Sequence, residues 1–171
     1  MEIRNTNGNA TSLTNGNNTK TLRIEGDLTI GDGTNSAIFN LKSGGSGTTI
    51  VNLGGNLTVN QNSTLTATDT DLGTVNFGYS GAIGKPSVTW GGSGTYTNTN
   101  INYVVQNNPT GKQVTLAGFN GNSITIPAGR SVQVSSGATL NTSTQTISGL
   151  GTFNLNAGGI LGIGHPNGLN A

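Results

Sequence analysis

The chain has no cysteine, so disulfides and thiolate metal sites are excluded and the redox compartment stays open. It has one histidine, which leaves a zinc site or a Ser-His-Asp arrangement with little to build on. Charge is scarce at 8%, and the seven basic and six acidic residues are scattered singly. No field exists to gather nucleic acid or anionic lipid, so neither is expected as a partner. No run approaches the roughly 18 apolar residues of a membrane span. The opening "MEIRNTNGNATSLTNGNN" has no apolar signal core, and the expectation is a soluble mature protein or an excised piece of a longer one.

Apolar residues make up only 31% of the 171, which argues against a helical bundle. What is abundant is glycine, at 29 residues, with asparagine and threonine close behind. Glu and Lys are thin, whereas Thr and Gly dominate, a composition of strands and turns. Residues 1–20 show no periodic apolar positions and read as a flexible arm or a cap. From Thr21 onward short runs such as "LRI", "LTI", "IVNL", "VTW", "INYVV" and "ITI" alternate apolar with polar, the period of a strand with one buried face. Gly or Asn stands in almost every gap.

The spacing of these runs is itself regular. Ile124, Ile126, Gly129 and Val132 follow a pattern that Val132, Val134, Gly137 and Leu140 repeat, and that Phe153, Leu155, Gly158 and Leu161 repeat again. Leu57, Val59, Asn62 and Leu65 obey it with Asn in the glycine place. Gly and Asn share a tolerance of positive φ, so the position is expected to be a left-handed corner. "GDLTI" at 26–30 returns as "GNLTV" at 55–59. Units of about 20 to 30 residues, each too small to hide its own apolar face, mark a stacked array.

An antiparallel sandwich is the competing architecture. Apolar pairs joined by single-residue corners are too short and too regular for hairpins. The sequence therefore predicts an all-β fold: a single-stranded parallel β-helix over 21–171, right-handed as parallel crossovers usually are. At roughly 20 to 25 residues per coil it would make about six or seven coils. Outward Thr and Asn would form hydrogen-bond ladders between coils. A break at 79–112, with "YSGAIGKPSVTW" and "NNPTGK", reads as loops thrown out from the coil.

With "GTFNLNAGGILGIGHPNGL" at 151–169, "LTVNQNSTLTAT" and "VQVSSGATLNT", the chain resembles the β-solenoid repeat regions of large bacterial secreted or cell-surface proteins, especially those exported with a C-terminal sorting domain. The resemblance implies extracellular placement at or beyond a bacterial surface, and a role as an adhesin-like stalk or fibre segment. It carries no catalytic residues and no cofactor.

Candidate contact residues remain few. Asp69 and Asp71 alternate in "TDTD" and share one face, the nearest approach to paired carboxylates in a relict polysaccharide lyase or a sugar site. Trp90, Tyr96 and Tyr103 gather in the irregular middle, where aromatic rings would offer sugars a stacking platform. His165 falls in a Gly- and Pro-punctuated turn. "GGSG" at 44–47 and 91–94 has half of a glycine-rich calcium repeat, but Thr49 and Tyr96 stand where the aspartate belongs. "TLTAT" and "TYTNT" present threonine at alternate positions, as flat ice-binding faces do. The expected function is therefore structural or adhesive and non-enzymatic, with end-to-end stacking of coils as self-association; carbohydrate binding and ice binding are the alternatives.

Overall fold

A computed structural model describes residues 1–4, 10–13, 17–68, 72–78, 87–97, 100–107 and 113–164. The chain winds through three walls in turn. The first wall holds β1 (Glu2–Ile3), β4 (Leu28–Ile30), β7 (Leu57–Val59), β10 (Ser87–Gly91), β13 (Gln113–Ala117), β16 (Thr139–Asn141) and β19 (Ile160–Gly162). The second holds β2 (Ala10–Ser12), β5 (Ile38–Asn40), β8 (Thr64–Thr66) and β11 (Thr95–Thr97). After a one-turn 3-10 segment at Asn120–Asn122, its place in the coil is taken by the pair β14 (Ser123–Thr125) and β17 (Thr146–Ser148). The third wall holds β3 (Lys20–Ile24), β6 (Thr49–Leu53), β9 (Gly73–Phe77), β12 (Ile101–Val105), β15 (Ser131–Val134) and β18 (Thr152–Leu155).

Every ladder among the described strands is parallel. This is the β-solenoid that the alternation and the corner spacing predict. It makes about five turns rather than six or seven. The reason lies in the corners: register partners in the third wall are 21 to 29 residues apart, so a coil takes more chain than expected.

Register turns the alternation into columns. In the third wall Leu22, Val51, Val75, Tyr103, Val132 and Phe153 lie one above another, beside Ile24, Leu53, Phe77, Val105, Val134 and Leu155. In the first wall Leu28, Leu57, Trp90 and Leu116 form a third column. From Val51 to Val134 the inner residues of the third wall are almost wholly buried. Each column sets apolar side chains a strand spacing of about 4.8 Å apart, so every rung covers the one below it.

Polar side chains tie the rungs together where apolar area is short. Asn76 Nδ2 donates to Asn52 Oδ1 at 2.8 Å on the outer face of the third wall. At one corner Asp27 Oδ1 accepts from the Asn56 amide at 2.8 Å, and Asn56 Oδ1 accepts from the Thr89 amide at 2.8 Å. Each corner side chain thus satisfies a backbone donor in the next coil, which a chain with so many corners needs. The corners predicted as left-handed have φ of 65° at Asn62, 75° at Gly129, 73° at Gly137 and 80° at Gly158.

Residues 1–20, read as an arm or a cap, supply β1 and β2, which pair with β4 and β5. Within 79–112, β10, β11 and β12 all keep register with their neighbours, so described residues here build a regular coil. Residues 79–86, 98–99 and 108–112, which include both prolines, lie outside the described residues.

Candidate functional site

Trp90 and Tyr103, two of the residues expected to offer a sugar platform, are wholly buried. Alternation decides this: Val88 and Trp90 in β10, and Ile101, Tyr103 and Val105 in β12, all point inward. The Trp90 ring lies 4.3 Å from Tyr103 and 5.0 Å from Phe77, centroid to centroid, and Phe119 meets it edge-on at 5.8 Å. Their faces are occupied by one another, so neither ring is open to a ligand. Trp90 Nε1 is buried with no hydrogen-bond partner.

Tyr96 completes the cluster, its ring edge-on to Phe119 at 5.1 Å and its hydroxyl donating to Gly91 O at 2.5 Å. Burial pushes both phenols above their ordinary value of 10.0, with the neighbouring Tyr103 adding to the effect on Tyr96. The group is a core filling of the coil. Five large rings in contact replace the smaller Leu and Val of other rungs.

Asp69 and Asp71 lie outside the described residues, as does His165. Among the described residues no three His, Cys, Asp or Glu side chains gather where a metal would bind. No helix among them is long and apolar enough to cross a membrane.

The glycine turn at 44–47 does hold a cation, but it is the chain's own. Lys42 is fully buried, and its Nζ donates to the carbonyls of Gly44 and, at 2.8 Å, Gly45. A buried ammonium needs such acceptors, since desolvation alone would expel it. No pattern of residue types signals this, because a lone lysine after an apolar run reads as a solvated side chain.

The threonine runs do align. Thr64 pairs with Thr95, and Thr66 with Thr97, in neighbouring coils. The array is short, however. Thr66 is buried, β11 is the last strand of its sheet, and the next rungs, β14 and β17, belong to a separate pair.

The inner residues of β18 are open to solvent, Phe153 at 37% and Leu155 at 48%, and in β19 the outward Ile160, beside Thr139, is 57% exposed while Leu161 packs against the core. Phe153 and Leu155 occupy the same positions as the buried Val132 and Val134 one rung below. Leu150, in the corner before β18, is 87% exposed. The coil of β18 and β19 is built like the others, and among the described residues no further strand pairs with it. The opposite end differs. Ile3 and Ile24 are buried there, and Leu13 packs against the core. Its edge is also charged, with Glu2 paired to Arg4 at 2.6 Å and Arg23 to Glu25 at 3.2 Å.

The chain matches no protein-family model, no curated protein and no solved structure.

Proposed function

We propose that this chain is a non-enzymatic structural solenoid, a stiff spacer or fibre segment displayed outside a bacterial cell. The observation that carries the reading is the run of unbroken apolar columns from Leu22 to Phe153 and from Ile24 to Leu155. Buried residues from every rung between them are committed to stacking, and the outer row of the third wall that starts at Arg23 continues with the uncharged Asn52, Asn76, Val104 and Gln133. Such a rod transmits length and stiffness, rising about 4.8 Å per coil. The extracellular placement is supported by the resemblance of its repeats to secreted solenoid regions.

Two measurements on the whole chain test the reading. Duplicating residues 131–151, one register repeat, adds one rung; small-angle scattering is expected to show a rod longer by about 4.8 Å with unchanged cross-section. A glycan array probed in parallel is expected to retain no glycan above control. Retention of one glycan class, lost on substituting outward residues of a single wall, would replace the structural reading with a carbohydrate-binding one.

A further inference from the structure

Between β13 and β14, where the second wall passes from the sheet of β11 to the separate pair β14 and β17, the chain turns through Asn120, Gly121 and Asn122. All three are exposed, whereas Phe119 before them is buried edge-on to Trp90 and Tyr96. One side chain of the next coil holds both flanks of the turn. Gln145, itself buried, accepts from the Phe119 amide at 3.1 Å through Oε1 and donates from Nε2 to Asn122 Oδ1 at 3.3 Å. Thr146 Oγ1 adds a bond to Asn122 O at 3.0 Å. Asn120 and Gly121 stand between these anchors and take no part in them.

Asn120 and Gly121 form the only Asn–Gly pair among the described residues; the pairs at 7–8, 15–16 and 167–168 lie outside them. The side-chain amide carbon of an asparagine is within reach of the main-chain nitrogen that follows it, and asparagine is thermolabile for this reason. The nitrogen must be free and the space around it open. Gly121 lies in a one-turn helical segment, whose first N–H groups have no acceptor within the turn, and among the described residues no other acceptor meets its amide. Nothing stands within 4 Å of where a Gly121 Cβ would be, and glycine brings no side chain of its own to cover the reacting atoms. Other asparagines are guarded. The Ser63 amide after Asn62 donates to Asn60 O at 3.0 Å, and the Asn35 side chain donates to Asp32 Oδ2 at 3.0 Å.

We propose that Asn120 is a site of spontaneous deamidation, and that its isoaspartyl product opens the clamp between this coil and the next. Hydroxide takes the Gly121 amide proton, the nitrogen bonds to Asn120 Cγ, and the Cγ–Nδ2 bond breaks, with Nδ2 leaving as ammonia after taking a proton from water. Water then opens the five-membered imide. Cleavage at Cγ restores the main chain with aspartate at position 120, whereas cleavage at the former main-chain carbonyl leaves the chain running through Cβ and Cγ, one carbon longer. The net change is one water consumed and one ammonia released, with nothing oxidised or reduced. The extra carbon falls between Phe119 and Asn122, whose separation Gln145 fixes, so the clamp and the buried Phe119 ring no longer both fit.

The whole chain, incubated warm at mildly alkaline pH beside a urea-unfolded sample, tests the site by peptide mass mapping. The folded chain is expected to gain one mass unit in the peptide bearing 120–121 at a rate close to that of the unfolded chain, with isoaspartate among the products. Asn120→Gln, aged in the same way, reports what ageing does elsewhere in the chain. The aged parent is expected to unfold at lower urea than aged Asn120→Gln. Asn120→Asp, which has the new charge without the extra carbon, is expected to keep the midpoint of the fresh parent. Two results would overturn the proposal. One is Asn120 intact in the folded chain under conditions that convert it in urea, which would mean that the turn shields its amide. The other is an aged parent that has isoaspartate at position 120 yet shares the midpoint of aged Asn120→Gln. Neither touches the coil-duplication measurement, so the spacer reading stands or falls separately.

Discussion

The indole of Trp90 lies on the ring of Tyr103 with centroids 4.3 Å apart and planes inclined by 32°. The two residues sit on different walls, so the contact crosses the interior and clamps the first wall to the third. Phe77, one coil before Tyr103 in the adjacent column, comes within 6.4 Å of it. The consequence for Tyr103 is a phenol with no access to water.

That phenol makes the fold sensitive to alkali. Burial raises its folded-state value above the ordinary 10.0, so the neutral form is the one the native state binds. Stability is fully present below pH 10.0, and it declines above that as unfolded tyrosines ionise and folded ones do not. The slope is about 1.4 kcal/mol per pH unit for each such tyrosine. In a spectrophotometric titration the phenolate absorbance of Tyr96 and Tyr103 is expected to rise only together with the loss of circular dichroism. Ionisation of all three tyrosines near pH 10 with the dichroism intact would contradict the packing.

Thr49 offers a stabilising substitution. Its side chain is wholly buried in the third wall, and its Oγ1 has no hydrogen-bond partner. Thr49→Val exchanges that hydroxyl for a methyl of nearly the same size and removes a desolvated polar atom. Urea unfolding is expected to show a gain of about 1 kcal/mol. A loss would mean that the hydroxyl has a partner, such as a bound water.

The left-handed corners separate backbone strain from crowding. Gly129 has φ of 75° with nothing within 4 Å of where a Cβ would stand. Gly129→Ala therefore meets strain alone and is expected to lose about 1–2 kcal/mol in denaturant unfolding. Gly129→Asn is expected to lose less than half as much, because Asn62 already adopts φ of 65° at the matching corner. Equal losses for the two variants would show that side-chain volume, not φ, governs the corner.

These corners also show why so much of the fold was legible. Positive φ admits few residue types, so Gly129, Gly137, Gly158 and Asn62 advertise their geometry in sequence, and the paired apolar residues around them fix the inward face. The amino-terminal rung was not legible, since β1 presents a single apolar residue, Ile3, and two residues define no period. Trp90 and Tyr103 were misplaced for another reason. Their strands alternate like the rest, but the prolines and long links around them suggested a loop, and the burial of large rings depends on which rings meet across the coil. Lys42 was invisible because its acceptors are backbone carbonyls, which every residue possesses. The exposure of Phe153 and Leu155 was hidden too, because they obey the same rule as the buried Val132 and Val134.

The relay from Asp27 through Asn56 to Thr89 has a bearing on how such a chain tolerates change. The side chains of Asp27 and Asn56 each secure a backbone amide of the storey overhead, so substitution at either unsettles a neighbour that lies about thirty positions away in sequence yet one storey distant in space. The links between corners carry no such duty, and register partners 21 residues apart are accommodated as readily as partners 29 apart. Insertions therefore accumulate harmlessly in the landings, while a handful of stair-head residues per storey keep the building upright.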